Sequence, residues 1–233
     1  PLIPEGHKDI NLCYRVHVSG GKVIFQTSDH IYIYDHKKIS CFQAPDRLVW
    51  SFLVNNRIYV SDRKKGMYSI QEDGLSLIPG GELFRDEQVI SMMPIRKTSI
   101  LVVTVKHGIL LYNAGDQKKL YKPDGFESVS SFLISNIPYC ATQLANGDYA
   151  AGTIMGGIII FTPKGQILNI YNKSNGLQDN SVYCLYSDNA QQLWAALDNG
   201  ISNIQNNIPF SKFNESNGLN GGTMCQRFYN GRF

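Results

Sequence analysis

The chain has 233 residues, of which 43% are apolar and 18% are charged, and its formal net charge at neutral pH is +3. A chain of this length and apolar content can bury a sizeable core, so the composition excludes a largely disordered protein. The small net charge, without a basic tail, argues against a nucleic-acid partner held through its phosphates. The 13 Tyr, 11 Phe and 21 Gly favour many short strands separated by turns, and therefore an all-β fold.

One strand pattern recurs along the chain, and the first residue of each copy serves as its anchor. A second strand pattern begins seven residues before each anchor. About sixteen residues before each anchor lies an apolar residue that belongs to a third strand pattern. The anchors, separated by 36, 42, 49 and 43 residues, are His30, Gly66, Gly108, Gly157 and Gly200. A four-stranded propeller blade repeats after about 40–50 residues, so these spacings favour a β-propeller.

In chain order the repeat divides into units that each predict one four-stranded antiparallel blade. The predicted blades span residues 11–43, 47–78, 88–122, 138–171 and 181–213, and a further blade starts at 222–233. No segment shows the 3.6-residue period of a competing helix. We therefore predict an all-β fold, a single partial β-propeller over residues 1–233 with five complete blades and the start of a sixth. Because the chain begins at Pro1 and ends inside a strand pattern, we expect it to be a fragment of a seven-bladed propeller.

The five cysteines are widely spaced and odd in number, which is typical of neither a CxxC metal site nor a disulfide framework. Cys140, Cys184 and Cys225 share one place in the repeat, on the innermost strand, where we interpret them as small apolar packing residues. Together with Cys13 and Cys41, most are expected to be buried thiols.

Aromatic side chains that stack on sugar rings would be the natural candidates for a carbohydrate site, and Trp50, Trp194, Tyr14 and Tyr183 stand out. Trp194 occupies a strand position that is normally apolar, and Trp50 and Tyr14 share the inner-strand position of Met92 and Cys184. We therefore interpret Trp194, Trp50 and Tyr14 as core residues.

The clearest copy of the repeat covers residues 175–205. It opens with an Asn-Gly-Leu turn and the strand Ser181-Val-Tyr-Cys-Leu-Tyr186, and it continues with Leu193-Trp-Ala-Ala-Leu197 and the turn Asn199-Gly200. This copy resembles the two-component regulator propeller repeat, whose usual form is G-L-P-x-N-x-V-x-x-I followed by L-W-I-G-T. Asn217-Gly-Leu-Asn220 repeats the same entry, whereas Ala195-Ala-Leu197 replaces the usual Ile-Gly-Thr.

The resemblance implies a function and a location. Such repeats form the periplasmic sensor region of hybrid two-component histidine kinases of Bacteroidetes, anchored in the inner membrane, which respond to glycan-derived ligands and control polysaccharide-utilisation genes. It also implies an oligosaccharide ligand, neighbouring propeller or β-sandwich domains, and a homodimer. The kinase would lie outside this chain, so the region itself is predicted not to be an enzyme.

Basic residues gather in two connections that the repeat places on one face of neighbouring blades. In a four-stranded blade, the connections from strand two to strand three and from one blade to the next lie on the same face. We predict a ligand site there, in which positive side chains attract an acidic sugar or the carboxylates of a partner. An ordinary solvated turn is the alternative. The predicted residues are Arg63, Lys64, Lys65, Lys106 and His107.

Motifs for catalysis are missing from the sequence. There is no GxSxG, HExxH or P-loop pattern, and the five histidines lack ligand spacing, so we predict no catalytic, cofactor or metal site. A propeller lyase or glycosidase remains an alternative, because such enzymes assemble carboxylates from distant blades. A protein-interaction scaffold is the third hypothesis, although the Gly-His to Trp-Asp spacing of WD40 repeats does not recur.

Overall fold

The structure is a computed structural model that describes residues 12–205 except 72 and 118. This part contains four four-stranded sheets and one three-stranded sheet, each antiparallel and each made of consecutive strands. The predicted all-β class is therefore confirmed. The predicted blade start at 222–233 and the last strand of the blade at 181–213 lie outside the described residues.

The strands follow the chain order. Sheet 1 contains β1 (Arg15–Ser19), β2 (Lys22–Gln26), β3 (His30–Tyr34) and β4 (Ile39–Gln43). Sheet 2 contains β5 (Leu48–Val54), β6 (Arg57–Asp62), β7 (Gly66–Gln71) and β8 (Gly74–Leu77). Sheet 3 contains β9 (Val89–Pro94), β10 (Ile100–Thr104), β11 (Gly108–Tyr112) and β12 (Leu120–Tyr121). Sheet 4 contains β13 (Pro138–Gln143), β14 (Tyr149–Thr153), β15 (Ile158–Phe161) and β16 (Ile167–Tyr171). Sheet 5 contains β17 (Val182–Ser187), β18 (Gln192–Leu197) and β19 (Ile201–Gln205).

Tight turns join the first two strands of sheets 1 and 2. Gly20 and Gly21 have φ angles of 56° and 71°, and Asn55 and Asn56 have φ angles of 50° and 60°. Two successive residues with positive φ make the hairpin turn that matches the right-handed twist of strands, and Gly and Asn adopt it at the lowest cost.

The apolar core fills the spaces between consecutive sheets. Four clusters of buried side chains lie between sheets 1 and 2, 2 and 3, 3 and 4, and 4 and 5. Because side chains alternate along a strand, a central sheet supplies two of these clusters at once. Val102 packs toward sheet 2 and Val103 toward sheet 4, and neither is exposed to solvent.

The first strands of neighbouring sheets contact one another, so the sheets converge along β1, β5, β9, β13 and β17. Polar groups join these inner strands. His17 Nε2 lies 2.8 Å from the Ser51 hydroxyl, and the Ser91 hydroxyl donates to the Ala141 carbonyl over 3.2 Å. The first strands of the sheets therefore lie side by side and form one continuous, partly polar surface.

A helix interrupts the strand pattern between sheets 3 and 4, contrary to our prediction that no helix competes with the repeat. The helix, α1, spans Glu127–Asn136. Its side chains Val129 and Leu133 are fully buried in the cluster between sheets 3 and 4. The segment is rich in Ser, a poor helix former, so propensity gave no signal and tertiary packing determines the conformation. The insertion accounts for the longest anchor spacing.

Candidate ligand-binding face

One face of the molecule is built from the connections that end the second strand of each sheet and from those that lead into the first strand. Backbone hydrogen bonds tie the two sets together. Arg63 N donates to Arg47 O over 2.8 Å, and Val105 N donates to Gln88 O over 3.1 Å. We call this side the loop face.

A repeated polar residue at the end of the second strand holds each turn of the loop face in sheets 1 to 4. In sheet 2, Asp62 Oδ1 accepts from the N–H groups of Lys64 and Lys65, and Asp62 Oδ2 accepts from the N–H of Asp46. Hydroxyl groups do the same in the other three sheets, at Thr27, Thr104 and Thr153. These bonds fix the backbone from which the basic side chains project.

A cleft of about 600 Å³ opens on the loop face between sheets 2 and 3. Its size falls within the range of about 300–1,000 Å³ that is usual for small-molecule sites. Three arginines, Arg47, Arg63 and Arg85, line it, and we call it the arginine cleft. Among the described residues, none of these three side chains forms an ion pair or a hydrogen bond. The cleft is lined by Tyr14 and residues 47–50, 61–63 and 85–89.

The acidic groups around the arginine cleft are mostly engaged elsewhere. Both oxygens of the buried Asp62 carboxylate accept backbone hydrogen bonds. Asp46 forms an exposed ion pair with Lys64 at 3.4 Å. Glu87 Oε1 lies 2.6 Å from His107 Nδ1, close enough for an ion pair with protonated His107 but not aligned as a hydrogen bond. Of the acidic residues named here, only Asp86 is left exposed in the cleft without a partner among the described residues.

A second cavity, of about 680 Å³, runs along the inner edges of the sheets and is lined by residues of all five first strands. We call it the channel. The Arg15 guanidinium lies 4.7 Å from the centre of the Trp50 ring, in cation–π geometry. Trp50 lines both the channel and the arginine cleft, so the two cavities adjoin at this side chain.

Aromatic side chains also line the channel near the loop face. Tyr139 and Tyr183 are the second residues of β13 and β17, and their rings pack edge to face with centres 5.4 Å apart. Each is 43% exposed. The Tyr183 hydroxyl donates to Asp198 Oδ1 over 3.0 Å, and this hydrogen bond raises the pKa of Tyr183 above its ordinary value. The pair is a partly exposed aromatic surface, and the hydrogen bond to Asp198 holds the Tyr183 ring in place.

The five residues of the predicted basic site do not line one common cavity in the structure. Arg63 lies in the arginine cleft, whereas Lys64 is paired with Asp46 beside it. Lys65 and Lys106 are exposed and line neither the arginine cleft nor the channel. His107 faces Glu87 and lines a smaller pocket with Leu110 and Tyr121. The site stays a prediction, and the geometry gives its strongest support to Arg63.

The interpretation of three aromatic residues as core needs correction. Trp194 is 41% exposed, and its indole N–H donates to Asp188 Oδ2 over 2.8 Å. Leu193 and Ala195 point toward sheet 4, so the alternation of β18 turns Trp194 to the opposite face. Tyr14 is 43% exposed and lines the arginine cleft, while Trp50 is only half-buried between the two cavities.

The prediction that most cysteines are buried is also wrong for the described ones. Cys13 and Cys184 are exposed, Cys41 and Cys140 are partly buried, and Cys225 lies outside the described residues. Cys140 and Cys184 both line the channel, which explains their access to solvent, and Cys140 also packs against the apolar cluster between sheets 4 and 5. Burial nevertheless raises the pKa of Cys140 to about 12, so its thiol stays protonated near neutral pH.

Within residues 12–205, no three His, Cys, Asp or Glu side chains come together in a group suited to holding a metal ion. In the same range no helix is long and apolar enough to cross a membrane.

Sequence reasoning missed Tyr139, Arg47 and Arg85 as site residues. A signal for Tyr139 exists, because Tyr139-Cys140 and Tyr183-Cys184 repeat the same dipeptide at the same place in the repeat. Arg47 and Arg85 both lie in connections between sheets, on the face where ligands were expected. The sequence does not show which charged side chains on that face form ion pairs or hydrogen bonds.

Comparison with known proteins identifies the fold. Neither a family model nor a curated protein matches the sequence. Among solved structures, the chain is similar to the extracellular domains of the B. thetaiotaomicron hybrid two-component systems BT4673 and BT3049. Both are 17% identical, with TM-scores of 0.62 and 0.61, and the matches cover 83% and 84% of this chain. It is also similar to the WD40 β-propeller domain of Doa1, with 14% identity and a TM-score of 0.60, over 82% of this chain and 62% of that one.

These similarities confirm the predicted β-propeller fold. The two B. thetaiotaomicron domains are also the type of structural neighbour that the sequence resemblance predicted. The chain spans only 27% of the length of each of them. At this level of identity, the likeness establishes the fold of the described residues as that of a propeller.

Proposed function

We propose that this chain is a ligand-sensing part of the extracytoplasmic region of a hybrid two-component sensor. In this proposal the ligand is derived from a glycan, and the full-length protein controls polysaccharide-utilisation genes. Support comes from the resemblance of residues 175–205 to sensor propeller repeats and from the structural likeness to the extracellular domains of BT4673 and BT3049.

The observation that carries the proposal is the aromatic surface at the mouth of the channel. Tyr139 and Tyr183 are partly exposed there, and the Arg15–Trp50 pair lines the same cavity. A sugar ring presents an apolar face of C–H groups, which packs on an aromatic ring, and hydroxyl groups, which need polar partners. His17 and Ser51 offer such partners on the same wall.

The proposed mechanism is a shift between two arrangements of domains. A ligand changes such an equilibrium only if it binds one arrangement more tightly than the other. A ligand at the channel mouth binds one arrangement more tightly if a neighbouring propeller or β-sandwich domain, or a second protomer, completes the site only in that arrangement. The channel mouth is thus proposed as the place where ligand and domain contacts meet.

Calorimetric titration of the chain with a panel of oligosaccharides tests the binding function. The Tyr139→Ala/Tyr183→Ala double variant should bind about tenfold more weakly, because each stacked aromatic contributes about 0.5–1.5 kcal/mol. Tyr186→Ala is the matched control, since Tyr186 is 62% exposed on the same strand and does not line the channel. Failure of every saccharide to bind, or equal binding by the double variant, would contradict the proposal.

The enzyme alternative is tested on the same mixtures. Chromatography of the saccharides after incubation should return them unchanged if the region only binds its ligand. Appearance of shorter or unsaturated products would favour a propeller lyase or glycosidase instead.

A further inference from the structure

The arginine cleft holds cationic groups that the fold itself does not use. Arg47, Arg63 and Arg85 come from three separate connections, yet their side chains line one cavity. Each is exposed, and none has an ion-pair or hydrogen-bond partner within the described part of the chain. An ion-pairing role for these arginines within the fold would require such partners. Their arrangement instead leaves fifteen N–H donors, five on each side chain, available to a ligand.

Among the described residues, none of the acidic side chains nearby forms an ion pair with these arginines. Asp62 is saturated by backbone N–H groups, and Glu87 faces His107. Only Asp86 remains as an exposed carboxylate among the described residues that line the cleft. The lining carries three guanidinium groups and the three carboxylates of Asp62, Asp86 and Glu87, so its formal charge is balanced. Its exposed charged groups are nevertheless three arginines with unused N–H donors and one carboxylate, and unused guanidinium donors favour an oxyanion as ligand.

Arginine side chains are well suited to binding oxyanions such as carboxylate and sulfate. A guanidinium group is planar, remains charged at any physiological pH, and donates two parallel hydrogen bonds to an oxyanion. Carboxylate and sulfate groups both accept such bonds. Trp50 lines the arginine cleft as well as the channel, so a ligand whose sugar rings lie at the channel mouth reaches the arginines with its charged substituents.

We propose that the arginine cleft is an anion-binding subsite that selects acidic oligosaccharides, with Arg47, Arg63 and Arg85 holding carboxylate or sulfate groups of the ligand. The inference rests on the proposed function, because it assumes that a saccharide occupies the adjoining channel mouth. It also replaces Lys64, Lys65, Lys106 and His107 of the predicted basic site by Arg47 and Arg85, and it keeps Arg63.

Paired ligands that differ only in charge test the inference. Oligogalacturonate is compared with its methyl ester, and a sulfated galactan oligosaccharide with its desulfated form, each by calorimetry on the full chain. We expect the charged member of at least one pair to bind about tenfold more tightly than the neutral member, with an affinity that falls as salt is added. The pair that shows the difference identifies carboxylate or sulfate as the group recognised.

An arginine variant shows where the charge is recognised. Arg47→Gln/Arg63→Gln/Arg85→Gln should lower the affinity for the charged saccharide to that of the neutral one and leave the neutral one unchanged. Arg57→Gln is the matched control, because Arg57 is an exposed arginine at the opposite end of β6 from Arg63. It should leave both affinities unchanged.

The outcomes separate this inference from the proposed function. Equal binding of charged and neutral saccharides, or an unchanged charge preference in the triple variant, overturns the inference while saccharide binding itself stands. Absence of binding by every saccharide removes both. Tighter binding of a hexaglutamate peptide than of any saccharide also overturns the inference, since the cleft would then serve a protein partner.

Discussion

At the scale of single residues, Gln26 is the clearest conflict between a side chain and its surroundings. It ends β2, is fully buried, and shares a face of that strand with Ile24 of the cluster between sheets 1 and 2. Both atoms of its side-chain amide lack hydrogen-bond partners among the described residues. A buried amide without partners costs about 1–3 kcal/mol relative to an apolar group of the same shape.

We therefore expect Gln26→Met to raise the free energy of unfolding by about 1 kcal/mol or more, because Met has a similar shape without polar hydrogen-bonding needs. Urea unfolding measures the change. Gln166→Met, at an exposed position, is the control and should change stability by less than about 0.5 kcal/mol. A loss of stability in the Gln26 variant would show that the amide is satisfied in the native protein.

His17 makes stability depend on pH. Burial, assisted by the nearby charge of Arg15, lowers the pKa of His17 below its ordinary value of 6.5. The folded state then favours the neutral ring, whereas the unfolded chain takes up a proton as the pH falls through about 6.5. The stability contributed by neutral His17 is therefore present above that pH and is lost as the pH falls toward the folded-state pKa.

Between about pH 7 and pH 5, the native chain should lose more unfolding free energy than His17→Gln, since glutamine cannot titrate. Urea unfolding curves at both pH values measure the difference. Equal pH dependence of the two proteins would contradict the lowered pKa.

The positions of some single residues can be predicted from the sequence, and those of others cannot. Turn composition and repeat register are enough to predict that Arg63 lies on the loop face, because both locate the connection that carries it. They do not predict the exposure of Tyr14 and Trp194, because a repeat position identifies a strand but not which neighbouring sheet, if any, covers its side chain.

At the scale of secondary-structure elements, α1 packs closely against the start of β11. The Ser130 hydroxyl of the helix accepts from the N–H of Ile109 over 3.1 Å. Gly108, which precedes it, has a φ of 67°, and a Cβ at this position would lie 2.6 Å from Ser130 Cα. A glycine is thus required here both by the backbone and by the approach of the helix.

Gly108→Ala should lower the free energy of unfolding more than Gly147→Ala does. Gly147 has a φ of 90°, but a Cβ added there would meet no described atom within 4 Å, so that change adds only the backbone strain of about 1–2 kcal/mol. Overpacking against α1 should add about 1–3 kcal/mol at Gly108. Equal losses in urea unfolding would mean that the helix moves away freely.

Strands were predictable where the repeat pattern holds. The strands that begin at Gly66 and Gly108 start where the anchors place them, because Gly permits the positive φ that enters each strand. The helix was not predictable, because its two buried apolar residues, Val129 and Leu133, are too few to stand out from a Ser-rich segment.

At the scale of the whole molecule, the sheets at the two ends of the described chain expose apolar faces. Val16 and Val18 are exposed on sheet 1, and Tyr186 lies opposite Trp194 on the outer face of sheet 5. In a propeller each sheet face packs on a neighbour, so such faces are suited to further sheets or domains. The predicted seven-bladed ring remains a prediction.

The central claim is that a saccharide ligand binds at the mouth of the channel, and the two tryptophans of the chain test it directly. Trp50 lines the channel and the arginine cleft, whereas Trp194 lies on the outer face of sheet 5. Fluorescence titration with an oligosaccharide that binds in calorimetry should give a saturable change in Trp194→Phe, where Trp50 alone reports, and none in Trp50→Phe. A saturable change from Trp194 with none from Trp50 would contradict the account.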